Sequence, residues 1–576
     1  MPPRASSADN TQTPEQVAAA IADFLAREPQ ALAMEDGRVL FDLASAKHTV
    51  STEHGRCTLQ LWSETANLTR RIVSAEPRAH TMRLATLRFG QSQTKLLELV
   101  APRGSRTPTT RGAHRQKYLR LLERVLLRRF PEWKATNFST ARDLEKSFGP
   151  AYARGSLVQG SRAWAVIAVN EEESTAVIDG ILTLGVLWLD ECRERAAGRK
   201  IYAGLRVIVP ARKAQTTLAR LRWMNHDAAQ WELYELDESL EELTWRDAED
   251  QGNLSTRLLP CLDESAGQER FAEAARQVME LVPRGQEHRV QQRLRNAAEK
   301  SFLLHGLEFA RATLGFAGNS FARTLEVVVG AGPQSTLLTP QSAAMLRALV
   351  HDLFARRVAN APARQQDVLY RAMPERWLES MLREDFTPLT QHLAPQPLQG
   401  PCRESGTQPA EVDGNRIGLS QDDVQMPPES RMIPRLRSDS VYTQVSAVAG
   451  AGDRGVLDLL GITEDGRLAV LELKAEEDLQ LAMQGLDYWI RIRHHLRETH
   501  ASAQGSALQA HGYFQGLELS PLDPRLYLIA PALRVHPATE RVLRYVSPRV
   551  EWHLIGLDER WRSRIRVVWR KSSSSR

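Results

Sequence analysis

Toward its C-terminal end the chain reads RGVLDLLGITEDGRLAVLELKAEED, which sets Asp458 fourteen residues before Glu472 and Lys474 two residues further on. Two carboxylates and an ammonium in such an arrangement suit the hydrolysis of a phosphodiester, the acids holding a divalent cation and the lysine acting on a water. That chemistry requires elements that bring the three together. Residues 456–462 and 467–473 are short apolar runs rich in β-formers, and Thr463-Glu464-Asp465-Gly466 supplies turn residues between them. The pattern predicts a hairpin with the two acids side by side on paired strands. Acids buried together cost several kcal/mol unless a cation compensates, and a hard, oxygen-seeking divalent ion does so best. The strand period of two turns Glu472 and Lys474 to one face.

These residues resemble the PD-(D/E)xK nuclease superfamily, whose motif is an Asp on one strand and Glu-x-Lys on the next. The resemblance extends to both flanks. Downstream, AEEDLQLAMQGLDYWIRIRHHLRE reads as a helix on which Gln484 and Tyr488 share a face, similar to the Q-x-x-x-Y element of several families of that superfamily. Upstream, PERWLESMLREDF places Glu379 on an amphipathic helix, similar to the acid these folds carry on the helix before the sheet. The string D-L-L followed by D-G-R-L-x-V-x-E-L-K is closest in style to the C-terminal domain of the NucS/EndoMS mismatch endonucleases. The resemblance implies a restriction-endonuclease-like core in which Asp458 and Glu472, with a strand carbonyl, hold Mg²⁺ or Mn²⁺. Lys474 would orient or activate the attacking water, Glu379 would complete the metal shell through a water, and Gln484 and Tyr488 would orient Lys474 or the backbone phosphate. It further implies DNA as the partner, with RNA and a homodimer left open and endo or exo action undecided. The rival reading is a surface ion-pair cluster on a non-catalytic nucleic-acid-binding or scaffolding protein.

The chain contains this module twice. Residues 205–238 align without gaps to residues 526–559, sharing Pro210 with Pro531, Trp231 with Trp552, and a closing Leu-Asp-Glu. Each copy reads strand, helix, strand, and an internal repeat of this kind implies duplication. Further back, 163–173 matches the Glu472 strand and 121–130 the Glu379 helix. The chemistry is missing from the first copy: Ala168 stands at the position of Glu472, Asn170 at that of Lys474, Gly180 and Leu184 at those of Gln484 and Tyr488, and Arg154 near that of Asp458. The stretch 85–101 also resembles 312–331.

A chain of 576 residues is too long for one core and suits several domains. The expected fold is mixed α/β, with two restriction-endonuclease-like cores in tandem and β-rich and helical accessory segments. The expected division is a β-rich domain with an N-terminal helix over 1–104, a degenerate core over 113–250, a connecting domain over 251–365 and the nuclease core over 366–570. A disordered insertion is expected at 395–437. Thr13-Pro14-Glu15-Gln16 predicts a capped first helix, and EHRVQQRLRNAAEKSFLLHG reads as helical. Four scattered cysteines suggest neither a zinc site nor disulfides. The N-terminal sequence has no apolar signal core and no stretch is fit to span a bilayer, so the expected compartment is the cytoplasm. The net charge of +5 agrees in sign with a phosphate-bearing partner. Arginines crowd 111–129, and Arg560, Arg562, Arg564 and Arg566 alternate as on a strand with one basic face.

Overall fold

The computed structural model describes residues 12–101, 111–141, 148–247, 256–262, 264–316, 323–330, 335–359, 366–390, 435–449, 455–497 and 506–573, apart from short stretches at 30, 36–37, 44–45, 54, 63–66, 78–80 and 88–93. The insertion expected at 395–437 lies almost wholly outside the described residues. The fold is mixed α/β and divides into two compact units. The first holds residues 1–159, 168–173 and 237–243, and the second the remainder. Among the described residues no helix is long and apolar enough to cross a membrane.

In the first unit, the hydroxyl of Thr13 accepts from the backbone of Gln16 while the Gln16 side chain accepts from that of Thr13, starting the helix Pro14–Arg27. Its buried face, Val17, Ile21, Phe24 and Leu25, packs on a seven-stranded antiparallel sheet. Strand Asn67–Pro77 shows why the sheet has one covered face: Leu68, Ile72 and Ala75 point inward between exposed neighbours.

The second unit contains a five-stranded antiparallel sheet, Val290–Asn296, Glu299–Leu304, Leu307–Phe316, Arg323–Val329 and Thr336–Leu337. Helices Ala272–Met279 and Ala343–Arg356 share its core. The segment expected to be helical forms the first two strands, because the Asn296 side chain accepts from the backbone of Ala298 at 2.8 Å and turns the chain. That local bond and the burial of Leu294 and Phe302 override the helix propensity of Arg-Asn-Ala-Ala-Glu-Lys.

A seven-stranded sheet runs in the order Thr256–Leu258, Tyr442–Ala449, Val456–Ile462, Leu468–Leu473, Arg525–Pro531, Trp552–Leu557, Val567–Ser572. Leu468–Leu473, Arg525–Pro531 and Trp552–Leu557 run parallel, and the other pairs are antiparallel. Helix Pro374–Glu384 contributes Trp377, Leu378 and Leu382 to a core with Leu459, Leu471 and Leu473. Helix Leu481–Arg497 lies against the other face, where any Cβ on Gly485 would collide with Leu528. The predicted basic strand at 560–566 is instead a series of hydrogen-bonded turns, Trp561 to Asp558 and Ser563 to Arg560, and the strand begins only at Val567. Arg562 lies over the rings of Trp561, Tyr370 and Trp377, which takes it out of any solvent-facing basic row.

The strand-helix-strand repeat has one register in both places. Leu205 pairs with Trp231 and Pro210 with Leu236 in one parallel pair, and Leu526 with Trp552 and Pro531 with Leu557 in the other, position for position as the sequences align. The helices between the strands are Gln215–Leu221 and Thr539–Arg544. The two repeats also meet within the second unit. Met224 bridges antiparallel to Val546, Asn225 N–H donates to the Tyr545 carbonyl at 2.7 Å and Ser547 N–H to that of Trp223 at 2.8 Å. Equivalent segments of the two copies thus pair with each other, a pseudo-twofold contact. Around it Arg220 forks onto both carboxylate oxygens of Asp487 at 2.8 and 2.6 Å, Thr183 donates to Gln480 at 2.6 Å, and Trp223 stands edge-on to Trp489.

Candidate active site

The predicted hairpin forms: Leu459 pairs with Leu471 and Ile462 with Leu468, closed by the turn in which Gly466 takes φ +79°. One step beyond the last pair lie Asp458 and Glu472. The preceding strand pairs Thr443 with Leu459 and Val445 with Leu457, so Gln444 stands opposite Asp458, with a left-handed φ of +56° that interrupts pairing without shifting register. Such a backbone is uncommon for glutamine and costs on the order of 1 kcal/mol. It aims the amide of Gln444 at Glu379, whose Oε2 it reaches at 2.7 Å.

Glu472 is 3% exposed. Its Oε1 accepts from Lys474 Nζ at 3.0 Å, while Oε2 is buried with no hydrogen-bond donor among the described residues. Asp458 accepts from the backbone N–H of Leu473 at 3.0 Å. Burial raises both carboxyls above their ordinary range, and the charge of Asp458 pushes Glu472 up further. Lys474 faces three acids: besides Glu472, Glu375 and Asp478 stand 3.9 Å away. Burial works against its charge, but Glu472, Glu375 and Asp458 prevail and hold the ammonium above its usual pKa.

Helix Pro374–Glu384 brings two carboxylates one turn apart. Glu379 is 7% exposed and accepts from Arg376 at 2.8 Å as well as from Gln444. Burial lifts its carboxyl to about 7 against the pull of Arg376 and Arg293. Glu375 is raised by burial too, with Lys474 opposing and Asp458 and Asp478 reinforcing. From the opposite face, helix Leu481–Arg497 presents Gln484, whose Oε1 is buried without a donor among the described residues. Tyr488 keeps its phenol proton firmly, because burial and then the charges of Glu472 and Asp458 disfavour the phenolate.

All six residues singled out in the sequence therefore converge on one end of this sheet. Sequence reasoning missed Glu375, Asp478, Arg376 and Gln444. The spacing of Glu375 and Glu379 on an amphipathic helix was a usable signal for the first. Nothing in the sequence marks Gln444, since its role depends on a backbone angle.

A cation fits this arrangement. Two carboxyls that burial raises, Glu472 further by the charge of Asp458, and two acceptor oxygens without donors among the described residues form an acceptor-rich cluster that one lysine does not saturate. Among the described residues no cluster of three or more His, Cys, Asp or Glu side chains has the spacing of a metal site. The available set is the two carboxylates, neighbouring carbonyls and the Gln484 amide oxygen.

The residues of the N-terminal repeat that align with this site make structural contacts instead. Ala168 is fully buried, and the side chain of Asn170 accepts from the backbone of Glu172 at 3.1 Å. Arg154 donates to the Ala141 carbonyl at 2.7 Å and lies over the ring of Phe148. Gly185 approaches Leu205 as Gly485 approaches Leu526 and Leu528. That close approach places Leu184 and Trp188 at the helical positions of Gln484 and Tyr488, one turn beyond the Gly180 and Leu184 suggested by sequence. No protein-family model, curated protein or solved structure matches this chain.

Proposed function

We propose that the chain hydrolyses phosphodiester bonds of nucleic acid, DNA foremost, in a divalent-metal-dependent reaction at the sheet end carrying Asp458, Glu472 and Lys474. The observation that carries this reading is the fully buried Oε2 of Glu472, without a donor among the described residues, beside Asp458: burial and the charge of Asp458 push that carboxyl up to about 8, so Lys474 alone does not keep it ionised at neutral pH. Asp458 and Glu472 would hold Mg²⁺ or Mn²⁺, with Gln484 Oε1 and a strand carbonyl as neutral donors. The metal, when bound, would polarise the phosphate and acidify a water. Lys474, kept protonated by its three acids, sets a fixed cation where negative charge develops on the phosphate. Glu379, poised near 7, can accept a proton from water at neutral pH, and the Gln444 amide fixes the carboxylate that does so. Tyr488 stays protonated and donates a hydrogen bond to a phosphate oxygen. The first copy, locked to the second through Arg220 and Asp487, acts as a built-in partner that buttresses helix Leu481–Arg497 without doing chemistry.

The test is cleavage of single-stranded, duplex, branched and mismatched DNA, and of RNA, by wild type and Asp458→Ala in Mg²⁺ or Mn²⁺. Equal behaviour of the two proteins on every substrate would sink the enzyme reading. Retention of metal-independent binding would then leave a non-catalytic nucleic-acid-binding protein.

A further inference from the structure

Beside the active site, between helix Pro374–Glu384 and the five-stranded sheet, the second unit has a small cleft of about 30 Å³ that opens to solvent. Arg293, Arg376 and Arg383 line it, with Gln291, Thr443 and Glu379. Arg293 comes from the first strand of the five-stranded sheet and Arg376 and Arg383 from the helix, so the cleft exists only where these elements meet. Their approach is tight: at Gly306, φ +73°, any Cβ would collide with the Arg376 carbonyl.

The charges in this cleft do not balance. Arg293 donates to the Thr443 carbonyl at 3.3 Å but makes no ion pair among the described residues. The charges nearest it are those of Glu379 on one side and of Arg376, Arg295 and Arg383 on the other. Glu379 already accepts from Arg376 and Gln444. Like charges gathered in a sheltered cleft repel one another, and an anion that takes several N–H donors at once relieves that cost. Burial lowers Arg293 only to about 10, so it remains a cation at neutral pH.

We propose that the Arg293–Arg376–Arg383 cleft seats a phosphate of the nucleic-acid strand next to the one being cleaved. This rests on the nuclease reading and gives it a direction, since the strand must pass from the Asp458–Glu472 row across Glu379 into the cleft. Glu379 is the hinge of the arrangement, facing the row through Gln444 and the cleft through Arg376. A phosphate is tetrahedral and multiply charged, and it matches converging guanidinium groups from two elements better than a carboxylate does.

The test measures binding by the full chain in EDTA, where cleavage does not intervene, to a short labelled DNA strand with a 5′-phosphate or a 5′-hydroxyl across a salt series. Arg293→Gln and Arg383→Gln should each weaken binding about tenfold and flatten the slope of log affinity against log salt by about 0.7. Arg347→Gln, on a helix away from the cleft, should do neither. If the effect needs the 5′-phosphate the seat takes a strand end, and if both strands show it the seat takes an internal phosphate; either upholds the site. Unchanged affinity and slope for both cleft variants overturn it. Arg383 is exposed, so its variant folds even if that of Arg293 does not. The two readings fail separately. Arginine-dependent binding without any Asp458-dependent cleavage removes the nuclease, and Asp458-dependent cleavage with unaffected binding removes the phosphate seat.

Discussion

Replacing Glu379 by glutamine should stabilise the metal-free protein at alkaline pH and leave it nearly unchanged at acid pH. The carboxyl is 7% exposed and its pKa is raised from 4.5 to about 7, because burial outweighs the donors Arg376 and Gln444. A carboxyl whose pKa rises on folding favours the protonated native state. Its contribution is fully present below about 4.5 and is lost as pH rises through about 7. At about 1.4 kcal/mol per pH unit, that shift is worth about 3 kcal/mol. Glutamine mimics the protonated acid and keeps a carbonyl for the same donors. In EDTA, Glu379→Gln should match wild type within about 1 kcal/mol at pH 5 and exceed it by about 3 kcal/mol at pH 8. Thermal or urea unfolding of both proteins across that range is the assay. A stability gap that does not widen with pH, or a wild type that gains on the variant, would show that Arg376 and Arg293 hold the carboxylate ionised and would refute the reasoning. Adding Mg²⁺ at pH 8 should stabilise wild type more than the variant.

Three further outcomes follow from the same geometry. Glu472→Gln should raise the unfolding temperature in EDTA at neutral pH while abolishing metal-dependent cleavage, because it removes a carboxyl that burial and Asp458 push up to about 8 and that must take up a proton on folding; a drop in both would mean that the Lys474 bond dominates. Arg220→Ala should cost about 3 kcal/mol by leaving Asp487 uncompensated, and a double-mutant cycle with Asp487→Ala should recover most of it. Gly485→Ala should cost on the order of 1–3 kcal/mol and lower kcat, since a Cβ there collides with Leu528 and lifts Gln484 and Tyr488 off the sheet; it is checked by unfolding and by cleavage rates.

The hairpin was legible because apolar runs, turn residues and acids occur within one short segment, where local chemistry specifies structure. The strand-helix-strand repeat was legible because both stretches keep the same apolar framework, and they share the register of Leu205 with Trp231 and Leu526 with Trp552. The stretch around Asn296 was misread because helix-forming residues there are overruled by one side-chain turn and the burial of Leu294. The arginines at 560–566 were misread because alternation in sequence does not distinguish a strand from consecutive turns.

What the sequence determined by itself is which side chains share a strand or a helix: Glu472 with Lys474, Gln484 with Tyr488, and Glu375 with Glu379. Periodicities of two and of about 3.6 act over a few residues and need no knowledge of the fold. Tertiary structure alone decided which of these elements meet. It set Gln444 opposite Asp458 through a left-handed backbone, drew Lys474 toward three acids, and formed the arginine cleft from two distant segments. It also joined the two repeats through aligned segments. Those contacts depend on packing and burial across hundreds of residues, and burial is what shifts the carboxyls and leaves the Glu472 oxygen without a donor.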